Sequence, residues 1–195
     1  MRRASPNCRR GPFSARRRWR RAQVKFLRPD IETVEFRGNV ETRLNKLRSG
    51  IVHATFLAAA GLKRLGLAAE ITSVIEPEVM LPAVAQGAIG IEMRENDGRI
   101  ASFIEPLNHR DTAIAVTCER AFLGMLDGSC RTPIAGLCVV EGSNIRFRGM
   151  VLALDGSDSH EVVRSGNAAD AEELGKSAGE EILASGSKAF FTDAS

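Results

Sequence analysis

The chain has 195 residues, 44 % of them hydrophobic and 26 % charged, which is ordinary for a folded protein with a real core. Its net charge of +3 is unevenly spread: nine of the 27 basic residues are arginines within the first 21 positions, where no acid occurs, and the remainder carries 18 basic against 24 acidic side chains, a net of −6. The four cysteines (Cys8, Cys118, Cys130, Cys138) form no C-x-x-C pair and share no metal-like spacing with His53, His109 and His160, which argues against zinc and against a disulfide scaffold.

Residues 1 to about 18 have no hydrophobic period and read as disordered. They have charge but no apolar core segment, so they do not form a secretory signal. From Ile31 the texture changes. Ile31, Val34 and Phe36 alternate loosely as a strand that runs into Arg37-Gly38-Asn39. Asn39 is placed to cap a helix from Val40 to Leu47, which Gly50 closes. Ile51 to Leu57 reads as a second strand and Ala59 to Leu65 as a short helix. This β-α-β-α order predicts a mainly parallel sheet with helices on its faces. The stretch from Phe56 to Leu62 is the most apolar, far short of the roughly 20 residues of a membrane span.

Pro77 and Pro82 bracket a break, and the apolar run from Gly87 to Met93 reads as a crossover. A helix is expected from Asp111 to Leu126. Three strands follow at about 134–140, 145–154 and 159–164, with hairpin signals at Glu141-Gly142-Ser143-Asn144 and Asp155-Gly156-Ser157. A last amphipathic helix runs from about Ala169 to Ala184, with Gly186 beyond its end. The fold class is therefore α/β followed by a compact α+β module, joined near residues 83–108.

Two groups of residues could carry chemistry. Arg20, Arg37, Arg43 and Arg64 fall at strand ends or helix starts, where α/β sheets place ligands, and guanidinium forks suit carboxylates. Solvated surface arginines are the common alternative. Cys130 sits in the loop Asp127-Gly128-Ser129-Cys130-Arg131-Thr132-Pro133, beside an arginine that would favour its thiolate. An inert thiol is equally open there, as for Cys118 and Cys138. The histidines have no partner motif and read as structural or exposed, and no carboxylate pair stands out.

The motifs Phe36-Arg37-Gly38-Asn39-Val40-x-Thr42-Arg43-Leu44, Ala60-Gly61-Leu62-Lys63-Arg64-Leu65-Gly66, Leu81-Pro82-Ala83-Val84-x-Gln86-Gly87-Ala88-Ile89-Gly90-Ile91-Glu92, Glu119-Arg120-Ala121-Phe122 and Gly128-x-Cys130-x-x-Pro133-Ile134 occur in this order. Together, from about Arg20 onward, they resemble the porphobilinogen deaminase (hydroxymethylbilane synthase) family. The resemblance implies a three-domain transferase with periplasmic-binding-protein-like β/α domains, acting in tetrapyrrole (haem) biosynthesis. It condenses four porphobilinogen molecules head to tail with release of ammonia, through an azafulvene attacked by the terminal pyrrole. It also implies a dipyrromethane cofactor joined by thioether to Cys130. Arg20, Arg37, Arg43 and Arg64 would bind the acetate and propionate groups. A cytoplasmic monomer with no membrane or nucleic-acid partner is implied as well.

The departures are specific. Nothing in the chain corresponds to the family's first domain with its catalytic aspartate, so no catalytic residue is assigned and the chain alone is expected to be inactive. The family's Ser-Leu-Arg-Arg stretch reads here as Arg17-Arg18-Trp19-Arg20, His53 replaces a usual aspartate, and Ala85 a usual glycine. The expected division is a leader at 1–19 unlike the family, translated from a shifted frame or a misplaced start, then a partial second domain at 20–82. A return segment of the first domain at 83–107 and a C-terminal domain at 108–195 complete it. Two other readings remain: a non-catalytic fragment folded only in its C-terminal module, and a nucleic-acid binder acting through the arginine tail.

Overall fold

The computed structural model of the chain describes residues 12–14, 17–126, 132–186 and 190. The chain forms two compact units, one of Met1–Met80 with Leu152–Ser159 and one of Leu81–Val151 with His160–Ser195.

The first unit is built in β/α order. β1 (Phe13–Ser14), α1 (Arg18–Leu27), β2 (Thr33–Val34), α2 (Val40–Arg48), β3 (Ala54–Thr55) and α3 (Ala59–Arg64) follow one another, and a 3-10 turn covers Ala68–Glu70. The three strands are parallel in the order β2-β1-β3, with Phe13 opposite Thr33 and Ala54. Phe13 N–H donates to Glu32 O at 2.7 Å, and His53 N–H to Pro12 O at 3.0 Å.

The central strand therefore lies inside the leader expected to be disordered, which corrects that expectation for the described part of it. A two-residue strand is too short to show alternation, and its extended form comes from the neighbours on either side rather than from its own propensity. Helix α1 was hidden as well, because five of the first ten residues from Arg16 to Lys25 are arginines. Its buried stripe of Trp19, Ala22 and Gln23 runs beneath them.

The α2 signals hold. Asn39 Oδ1 accepts from the Thr42 N–H and hydroxyl, both at 2.8 Å, and Gly50 takes φ 78 past the helix end. Phe36, Leu44, Val52 and Leu62 join Trp19 and Ala22 in the core, each large apolar side chain contributing about 1.5–3 kcal/mol by burial.

The second unit begins with the docked segment Leu81–Gln86. α4 (Gly98–Ile104), a 3-10 turn (Glu105–Leu107) and α5 (Arg110–Met125) follow. Then come β4 (Ile134–Glu141), β5 (Asn144–Leu152), β6 (Ser159–Asn167), a 3-10 turn (Ala168–Asp170) and α6 (Ala171–Ala184). The sheet order is β4-β5-β6, and β4 pairs antiparallel with β5 from Ile134↔Val151 to Glu141↔Asn144. The expected strands, hairpins and both long helices are present within two or three residues of the boundaries read from the sequence. His109, read as structural or exposed, accepts from Thr112 N–H through Nδ1 at 3.3 Å and so caps α5.

Helices α5 and α6 cross closely because α6 carries glycines where they meet. A Cβ on Gly175 would collide with the Cys118 carbonyl oxygen, and one on Gly179 would lie 2.5 Å from Met125 Cβ. Phe122, Phe147, Val151 and Ile182 fill the core beneath. Between Gln86 and Asp97 no helix or strand forms, and Ile89 is 92 % exposed with Ile91 and Met93 beside it. No helix among the described residues is long and apolar enough to cross a membrane.

Candidate functional site

Parallel strands bring their C-terminal ends, and hence the loops that follow them, to one edge of the sheet. In the order β2-β1-β3 the chain leaves β1 toward one side and returns on the other, which puts the topological switch point, where such sheets bind ligands, at the carboxyl ends of β1 and β3. Arg17 and Arg20 follow β1, Arg37 and Arg43 follow β2, and Phe56 follows β3 directly.

Arg43 is buried, and its Nη2 donates to Thr55 Oγ1 at 3.0 Å and to the Phe56 carbonyl at 2.9 Å. It thereby ties α2 to the end of β3. The Arg20 guanidinium lies 4.9 Å from the Trp19 ring centroid and 6.0 Å from that of Phe56. Burial first, then the like charges of Arg17 and Arg43, lower the pKa of Arg20 below its ordinary value. Among the described residues neither Arg17 nor Arg20 has a carboxylate within ion-pair distance. Arg20 is half-buried and Arg17 exposed beside it, and like charge without a nearby acid is what an anionic ligand would relieve.

The other two predicted arginines stand apart. Arg37 is exposed and pairs at 3.4 Å with Glu35, while its carbonyl accepts from Lys46 Nζ at 3.1 Å. The preceding geometry depends on Gly38, whose φ of 132 is open to glycine and whose Cβ would strike Thr42 at 2.8 Å. Arg64 is the exposed last residue of α3, roughly one and a half helical turns along from the end of the helix that faces the strand edge. The structure thus joins Arg20 and Arg43, adds Arg17, and leaves Arg37 and Arg64 at the margin.

Cys130 lies outside the described residues. Its flanks do not: Leu126 is buried at the end of α5, and Thr132 and Pro133 are buried at the start of β4.

Family models match both parts of the chain. The model described as porphobilinogen deaminase, dipyromethane cofactor binding domain, covers residues 5–102, and that of the porphobilinogen deaminase C-terminal domain covers 113–184. The chain belongs to the porphobilinogen deaminase family. The porphobilinogen deaminase of Paracoccus denitrificans is 51 % identical over 172 residues, 88 % of this chain and 55 % of that protein. That of Nitrobacter hamburgensis is 49 % identical over 173 residues, 89 % of this chain and 55 % of that protein. The chain spans about half the length of the curated relatives it matches.

A dipyrromethane carrying acetate and propionate groups is strongly anionic, and the arginines at the β1/β3 switch point fit such a group in sign and in donor chemistry. The first family model begins at residue 5 and so takes in most of the arginine-rich start.

Two site features were not read from the sequence. One is the aromatic bracket of Trp19 and Phe56 around Arg20; a phenylalanine directly after a strand could have drawn notice. The other is Glu119 in the second unit. Its Oε2 accepts from Ala85 N–H at 2.6 Å and its Oε1 from Cys138 N–H at 2.8 Å. Burial raises its pKa and these two hydrogen bonds oppose the rise. Beside it, the Cys118 thiol hydrogen-bonds Cys138, and that bond together with burial pushes the Cys118 pKa up. Both thiols are buried, as expected.

Proposed function

We propose that this chain contributes the cofactor-binding and C-terminal parts of a porphobilinogen deaminase, a cytoplasmic, monomeric transferase of tetrapyrrole biosynthesis that makes hydroxymethylbilane from porphobilinogen. Its first unit would be the remnant of a periplasmic-binding-protein-like domain. The observation that carries the reading is the unbalanced arginine cluster at the sheet's switch point, in a chain that two porphobilinogen deaminase models cover almost end to end.

Arg20 and Arg43 would grip ligand carboxylates, with Arg37 and Arg64 reaching the outer ones. The neighbouring rings exclude water from one side of Arg20 and strengthen its pull. Cys130 would hold the primer by a thioether, from a loop whose two ends are anchored in the core by Leu126 and Pro133. When bound, the dipyrromethane supplies the free pyrrole α-carbon on which the chain grows.

The test is the intact mass of the purified protein. A covalent dipyrromethane adds a fixed increment, which Cys130→Ser should abolish; an unmodified mass in protein made by porphobilinogen-producing cells would overturn the assignment. No residue of this chain is given the general-acid role, so the purified chain should not turn over porphobilinogen. Formation of a product that oxidises to a coloured porphyrin would refute that expectation.

A further inference from the structure

We infer that Trp19 and Arg17 rebuild the carboxylate grip around Arg20, Trp19 as the shelf that positions its guanidinium and Arg17 as an added cationic contact for the acidic side chains of a pyrrole. The inference rests on reading the arginine cluster as a carboxylate site. It concerns the two positions at which Arg17-Arg18-Trp19-Arg20 departs most from the family's Ser-Leu-Arg-Arg.

Trp19 is 4 % exposed, so its indole has not simply replaced a solvent-facing side chain. Its ring lies 4.9 Å from the Arg20 guanidinium, and that of Phe56 lies 6.0 Å from it. A long side chain bracketed this way forfeits fewer rotamers when it grips a ligand, because they are already restricted. The indole Nε1 is buried without a hydrogen-bond partner among the described residues. What the site gains from Trp19 is therefore the ring and its π face, not a donor.

Arg17 supplies the charge that Trp19 cannot. Its carbonyl accepts from the N–H groups of Arg20 and Arg21 at 3.0 and 3.1 Å, which pins its backbone at the first turn of α1. Arg17 is the extended N-cap of α1, and its charge is near enough to act on the Arg20 guanidinium. Some arginines elsewhere pair with acids, as in Arg28–Asp30, Arg48–Glu70 and Arg148–Glu161. Here two arginines adjoin with no ion-paired acid among the described residues, and burial first, then the like charge of Arg17, lowers the pKa of Arg20.

The chain has one tryptophan and no tyrosine, so its indole emission comes from this site alone. The full chain is titrated with porphobilinogen, followed by tryptophan emission and by calorimetry. The wild type should show a saturable emission change. Arg17→Gln should weaken binding about two- to five-fold with an unchanged melting temperature. Trp19→Ala should weaken it about five-fold or more by calorimetry, and Trp19→Phe, which keeps a ring, should restore binding to within about two-fold of the wild type.

If Trp19→Ala does not fold, Arg17→Gln and Trp19→Phe decide the matter. Wild-type affinity in Arg17→Gln, or a loss in Trp19→Phe as large as in Trp19→Ala, overturns the inference while binding that depends on Arg20 leaves the cluster reading standing. Absence of wild-type binding, or binding indifferent to Arg20→Gln, overturns the cluster reading and this inference with it.

Discussion

Glu119→Gln tests whether a single buried carboxylate holds the Leu81–Gln86 segment against the C-terminal module. Each oxygen of Glu119 takes one backbone N–H, from Ala85 at 2.6 Å and from Cys138 at 2.8 Å. A glutamine keeps one acceptor, while its NH2 faces a second N–H donor, so one buried amide goes unsatisfied at about 1–3 kcal/mol. Relief from burying a charge offsets part of this, leaving a loss of roughly 1–2 kcal/mol. For a chain of this size that lowers the melting temperature by about 2–8 °C, readable by circular dichroism.

The pH dependence sharpens the test. Burial raises the folded carboxyl above its ordinary 4.5, so the contribution of Glu119 is fullest below that value and declines as pH rises through the raised one. The gap between wild type and Glu119→Gln should therefore narrow as pH rises. A gap that widens would mean that the two N–H groups outweigh burial and hold the carboxylate better than the acid, and the reasoning would be wrong.

Two further substitutions probe the backbone around this clamp. Ala85 has φ 57, a left-handed conformation costing a non-glycine residue roughly 1–2 kcal/mol. Ala85→Gly should relieve that strain, less the roughly 0.4–1 kcal/mol of unfolded-chain entropy that glycine adds. The melting temperature should hold or rise slightly, and a clear fall would refute the strain. Gly175→Ala drives a methyl into the Cys118 carbonyl and to 2.9 Å from Ala121 Cβ, so it should destabilise by about 1–3 kcal/mol or more. Denaturant unfolding with an unchanged midpoint would show that α5 and α6 can part at no cost.

What the sequence disclosed was local. Asn39 before an apolar period, Gly50 after it, the Gly142-Ser143 turn and the stripe of α6 each carry their signal within a few residues, and each folds as read. β1 and the docking of Leu81–Gln86 have no such signal. Phe13-Ser14 is extended because two other strands flank it, and Pro82 meets β4 through its carbonyl and the Gly136 N–H at 3.0 Å; neither pairing has a periodicity. The arginines were legible as a set from type and position. Which of them adjoin was not, since Arg64 shares the motif pattern of Arg43 yet stands at the far end of its helix. Trp19 looked like a loss in sequence because burial and stacking are properties of its surroundings.

The clamp at Glu119 also places the edge of the C-terminal module. The family model of that domain starts at residue 113, and hairpin and helix signals begin near there too. Yet the partners of Glu119 and β4 include residues some thirty positions before 113: Ala85 N–H on the carboxylate, Pro82 O on Gly136, and Val84 Cγ2 3.3 Å from where a Gly136 Cβ would sit. A polypeptide begun at 113 would leave the Gly136 N–H without the Pro82 carbonyl at the sheet edge and a carboxylate short of one donor. The smallest piece of this protein that keeps its own interior intact therefore starts at Leu81, and the exposed stretch around Ile89 is carried inside the module as a loop.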